Sequence, residues 1–94
     1  MAISHQTISL GTTARPIIVA ENGVQKVMCY VFNNDASANM WVGDATVSNT
    51  GSDLGYKIPK DTGYVFEIYG GEELWGVSTT NISVSVMTTG NNPV

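Results

Sequence analysis

Charge is what this chain has least of. Four basic and eight acidic side chains in 94 residues amount to 13%, about half of the roughly 25% usual in a soluble domain. Arg15, Lys26, Lys57 and Lys60 are scattered, so no cationic cluster exists to neutralise a run of phosphates, and a net charge of -4 repels a polyanion. Nucleic acid and membrane are therefore not expected partners. Cysteine and histidine occur once each, as Cys29 and His5. One thiol gives no internal disulfide framework, and zinc, which needs three or four ligands, has too few. No apolar run approaches the roughly 18–20 residues of a membrane span. Met1 to Gln6 has neither the basic nor the apolar region of a secretory signal, so synthesis in a cytosol is expected.

Catalytic patterns are equally sparse. A cysteine hydrolase would need Cys29 and His5 to meet, yet Cys29 lies mid-strand among apolar neighbours, where a thiol behaves as a small hydrophobe. No Gly-x-Ser-x-Gly elbow is present, and His5 would have to serve any serine nucleophile from close to the terminus. Asp35, Asp44, Asp53 and Asp61 fall in loops without the dense Asp/Asn spacing of a calcium loop. Glu72-Glu73 reads as a turn pair rather than half of a glycosidase. Gly70-Gly71 lacks the lysine and helix start of a phosphate loop. The sequence predicts neither enzyme, cofactor nor metal site.

What fills the chain is Thr, Ser, Asn and Gly between short apolar runs rich in Val, Ile, Tyr and Phe. That texture predicts an all-β fold, a small antiparallel β-sandwich or jelly-roll-like barrel of about seven or eight short strands. Residues 1–94 read as a single domain, with residues 1–10 either an edge strand or an arm, and 89–94 a flexible tail. Pro16 stands at the entrance of Ile17-Ile18-Val19-Ala20, where a missing N–H does least harm. Asn22-Gly23 is a hairpin signal, predicting that residues 16–20 pair with 24–32. Gly43 should break the strand begun at Met40. Tyr64, Phe66 and Ile68 alternate inward, as do Ile82, Val84 and Val86, with serines between the latter.

The run Val27 to Phe32 is apolar on both alternating faces: Val27, Cys29 and Val31 on one, Met28, Tyr30 and Phe32 on the other. A two-layer sandwich covers one face of each sheet, so the second apolar face calls for cover by loops or by another subunit. Met28, Tyr30 and Phe32, with Trp41, are the candidate interface residues. Trp41 and Trp75 with the tyrosines also allow a stacking platform for sugar rings, although core or interface is the commoner home for strand aromatics.

The second half of the chain carries Trp41-Val42-Gly43, Gly51, Pro59-Lys60-Asp61-Thr62-Gly63, Leu74-Trp75-Gly76-Val77-Ser78 and Ile82-Ser83-Val84-Ser85-Val86. In these segments it resembles small β-sandwich virion proteins of tailed bacteriophages. The resemblance covers about half of the chain and carries over no functional residue. It implies a structural virion protein, most concretely a capsid decoration or cementing protein. Such a protein would be made in the host cytoplasm and bind the major capsid protein, or another virion protein, as a homotrimer. The alternative is a carbohydrate- or host-receptor-binding module of a phage particle.

Overall fold

The computed structural model describes residues 3–20, 22–23 and 26–90. Among these, strands β1 (Ile3–Leu10), β2 (Arg15–Val19), β3 (Val27–Asn33), β4 (Met40–Gly43), β5 (Tyr56–Ile58), β6 (Thr62–Ile68), β7 (Glu73–Ser78) and β8 (Ile82–Thr89) follow in order. A single 3-10 turn, Gly51–Asp53, precedes β5. The strands form two four-stranded sheets, a front sheet ordered β1-β8-β3-β6 and a back sheet ordered β2-β7-β4-β5.

The pairing is nested. β4 pairs with β5, β3 with β6, β2 with β7 and β1 with β8, all antiparallel. The chain is thus one long hairpin folded across itself, and the contacts of β3 with β8 and of β4 with β7 seal the fold. Eight strands in two such four-stranded sheets are a jelly roll. Short β-branched runs favour this outcome because each strand presents one apolar row to the opposite sheet and needs no helix to cover it.

The core lies between the sheets. Ile8, Leu10, Cys29, Val31, Ile82, Val84 and Val86 of the front sheet meet Ile17, Met40, Val42, Ile58 and Leu74 of the back sheet. Each such side chain, fully buried, contributes about 1.5–3 kcal/mol. At one end Ala20, Val27 and Ile68 form a smaller cluster beneath Ile18. Ile82, Val84 and Val86 point inward as their alternation predicts, while Ser83 and Met87 point out.

Several local expectations resolve differently. Asn22-Gly23 does not close a hairpin. Gly23 has the positive φ of such a turn, +94°, but β2 pairs with β7 in the back sheet and β3 with β6 and β8 in the front sheet. A turn that reverses the chain can equally carry it from one sheet to the other. Residues 3–10 are the edge strand β1, in register with β8 from Ile3 opposite Thr89 to Leu10 opposite Ile82. Of the tail, Thr89 ends β8 and Gly90 turns with φ +86°; residues 91–94 lie outside the described residues. Tyr64 shares the inward register of Val31 but sits at the open rim between β5 and β6. There Tyr56 meets it edge-on at 5.6 Å and Phe66 at 6.3 Å.

Candidate assembly surface

The two sheets treat their outer faces differently. Behind β4 the chain supplies its own cover. Asp44 accepts hydrogen bonds from the Thr46 N–H and hydroxyl at 2.9 and 2.6 Å. Val47 N–H donates to the Asp44 carbonyl at 3.0 Å. This turn lays Val47 against Gly43 and Gly55. Val77, whose register with Trp41 puts it on the same outer side, is buried. Trp41 and Trp75 are half-buried, and the Trp75 indole N–H donates to Glu73 at 2.7 Å.

The front sheet has no such cover among the described residues. Cross-strand register aligns His5, Met87, Tyr30 and Val65 in one row across β1, β8, β3 and β6, with Thr7, Ser85, Phe32 and Gly63 in the next. Tyr30 and Phe32 are each 40% exposed, Met87 38%, Val65 48% and Ile3 71%. Between them runs an open, largely apolar groove of about 540 Å³. Gly63 makes room along it: a Cβ there would stand 2.7 Å from the Phe32 ring, which would have to shift. An intrachain loop covers the back sheet behind β4, and the outer side of β3 stays open.

The candidate interface residues therefore divide. Tyr30 and Phe32 share this open face, Met28 lies half-buried beside them, and Trp41 belongs to the other sheet. Met87 and Val65 complete the patch. Neither is conspicuous in the sequence, because membership depends on which strands become neighbours.

The titratable groups have structural surroundings. Cys29 and His5 occupy opposite faces of the front sheet, the thiol fully buried and the imidazole exposed, so the chain does not bring them together. Burial pushes the Cys29 thiol up to about 11, leaving almost no thiolate at neutral pH. The native protein at pH 8 should accordingly react with an aromatic disulfide reagent only after denaturant is added. Rapid release of the coloured thiolate without denaturant would show that β3 opens.

Asp35 accepts from the Ala38 and Ser37 backbone N–H groups at 2.6 and 2.9 Å, which holds its carboxyl below the ordinary value of 3.8. Asp44 is lowered by its Thr46 bonds. Both are turn builders. The stability that each lends is present above pH 3.8 and is lost as the pH falls through the lowered folded value. No group of three or more His, Cys, Asp or Glu side chains is placed to hold a metal ion among the described residues.

With the nested pairing and the open front face described, the chain is defined as a small jelly-roll β-sandwich. No family model and no curated protein matches its sequence. It is similar in structure to a solved protein of Bacillus endospore appendages, described as a novel family of disulfide-linked pili. The TM-score is 0.54 at 12% identity, over 92% of this chain and 84% of that one. At that identity the likeness is one of fold.

Proposed function

We propose that this protein is a non-enzymatic structural subunit that coats a larger particle, in its most concrete form a capsid decoration or cementing protein of a virion. The observation that carries this reading is the uncovered apolar face of the front sheet, Met28, Tyr30, Phe32, Val65 and Met87, in a chain that covers the middle of its other sheet, behind β4, with its own loop. A contiguous exposed apolar patch on a small domain marks an interaction surface. The fold shared with a pilus protein agrees with a structural role. In that protein's description the links are disulfides, whereas the single Cys29 here is sealed in the core, so assembly of this chain is non-covalent. The oligomer is threefold, and its partner is a shell-like protein surface.

The test is cosedimentation with undecorated capsids at low and high salt. Binding should change little between the two, because so few charges are available for steering. Tyr30→Glu places a carboxylate on the apolar face and should reduce capsid occupancy at least tenfold, with the thermal unfolding temperature nearly unchanged. Failure of the wild type to bind at either salt concentration, together with retention on a glycan array, would move the reading to a carbohydrate-binding module. Trp41 and Trp75 do not favour that alternative, since both are half-buried and Trp75 is tied to Glu73.

A further inference from the structure

The four sheet edges are unequally protected. In the back sheet, β2 carries Arg15, Pro16 and a break in register between Pro16 and Ile18, while β5 is three residues long and carries Lys57. Proline, charge, irregularity and shortness are the devices by which an edge is kept from pairing with another chain. The front sheet has few of them. β1 is an eight-residue edge, Ile-Ser-His-Gln-Thr-Ile-Ser-Leu, with no proline and no acidic, lysine or arginine side chain. Its ladder with β8 is unbroken. At the opposite margin β6 is seven residues long with Glu67 as its one charge and no register break against β3.

Which backbone groups these edges offer follows from two hydrogen bonds. Asn34 N–H donates to the Ser83 carbonyl at 3.1 Å, so Ser83 and, by alternation, Ser85 and Met87 turn their N–H and C=O groups toward β3. Ile82, Val84, Val86 and Thr88 then bond to Leu10, Ile8, Gln6 and Ser4, leaving Ile3, His5, Thr7 and Ser9 directed away from the sheet. Arg15 Nη1 donating to the Ser9 carbonyl at 3.0 Å agrees with this assignment and closes that end. The same alternation across β3 turns Thr62, Tyr64, Phe66 and Ile68 inward along the ladder and leaves Gly63, Val65 and Glu67 facing out. Each margin thus presents three residues, spaced by two, whose backbone groups have no partner among the described residues.

We propose that copies of this chain join head to tail by antiparallel pairing of β1 of one copy with β6 of the next, extending the front sheet across the subunit boundary. The inference rests on the reading of the chain as self-associating and names the contact. Direction permits it: β1 and β6 run antiparallel, separated by β8 and β3, so a second copy displaced sideways meets the first in the correct sense. Register permits it too. The row that joins Ile3, Thr89, Met28 and Glu67 puts Ile3 of the incoming copy opposite Glu67, His5 opposite Val65 and Thr7 opposite Gly63, for about six new backbone hydrogen bonds. Since unlike edges meet, the contact is heterologous and closes into a ring when its rotation is a simple fraction of a turn, the trimer being the smallest such ring.

Thr7→Pro blocks the first edge and Val65→Pro the second, each at an N–H that has no partner among the described residues. Each variant alone should sediment as a monomer of about 10 kDa under conditions where the wild type is oligomeric, while an equimolar mixture should give a heterodimer and nothing larger. In the wild-type oligomer the amide protons of His5, Thr7 and Val65 should exchange at least tenfold more slowly than in the dilute monomer, a reading that needs no variant to fold. Wild-type oligomers from either proline variant, or unprotected amides in the oligomer, would overturn the edge pairing and leave contact through Tyr30 and Phe32 as the means of association. A wild type that stays monomeric at all concentrations would overturn it as well. The capsid assay reads the coating role separately, since a monomer that still decorates capsids keeps that role.

Discussion

Val84→Asp should leave the chain largely unfolded at room temperature. Val84 has no exposure and stands on β8 at the centre of the front sheet, opposite Ile8 on β1 and Asn33 on β3. Its surroundings are the side chains of Ile8, Val31, Ile82 and the facing back sheet, with no cation among the core residues. An isolated carboxylate there either stays charged at large desolvation cost or takes up a proton and leaves its hydroxyl unpaired. Either route costs several kcal/mol, against the roughly 5–15 kcal/mol that holds a domain of ordinary size together. Far-UV circular dichroism and a urea titration check this. A cooperative transition at the wild-type midpoint would show that β8 does not face the core.

The second large effect is expected at Asn33. Its side chain is fully buried at the end of β3 and spans the two sheets: Nδ2 donates to the Ala38 carbonyl at 2.9 Å and to the Ile58 carbonyl at 3.3 Å, while Oδ1 accepts from the Asp35 N–H at 2.9 Å. Asn33→Asp keeps the shape and removes both donors, so at neutral pH a carboxylate faces two carbonyl oxygens. The expected loss is about 3–5 kcal/mol, in the range found when a buried polar network is broken at one member. Because the protonated acid recovers one donor, the variant's carboxyl should titrate above its unfolded value. The deficit against wild type should therefore shrink as the pH is lowered toward 4. Denaturant midpoints at pH 7 and pH 4.5 measure it, and an equal deficit at both would mean that the donors do not matter.

Alternation along β8 and the two-faced run of β3 make the architecture legible in the sequence, because period-two burial is decided by neighbours two residues apart. Partner choice was not legible. Asn22-Gly23 has the chemistry of a reversal, and that chemistry is the same whether the chain pairs back on itself or crosses between layers. Asn33 offered no signal either, since Asn33-Asn34-Asp35 reads as a polar loop, and its burial depends on Ala38 and on Ile58, which lies 25 residues away. Tyr30 and Phe32 stood out as a second apolar row, whereas Val65 and Met87 join them only through the β3–β6 and β3–β8 ladders. Edge status is likewise non-local. Pro16 hinted at it for β2, but the openness of β1 and β6 follows from the order of the whole sheet.

The nested pairing also sets a timetable for the chain's folding. The inner pair β4–β5 joins segments close in sequence, and each further pair outward closes a longer loop, until β1 meets β8 with nearly the whole chain between them. Because closure entropy rises with loop length before the contacts return it, folds dominated by such distant pairings reach the native state in roughly milliseconds to seconds rather than microseconds. On the ribosome the order is stricter. β3 emerges early with Tyr30 and Phe32 on one side and Val31 on the other, and waits for β6 to form its first ladder and for β8 to form its second. A segment apolar on both faces is therefore exposed while its partners are still being made, and nascent copies made in quick succession depend on prompt release of β8 to avoid pairing with one another.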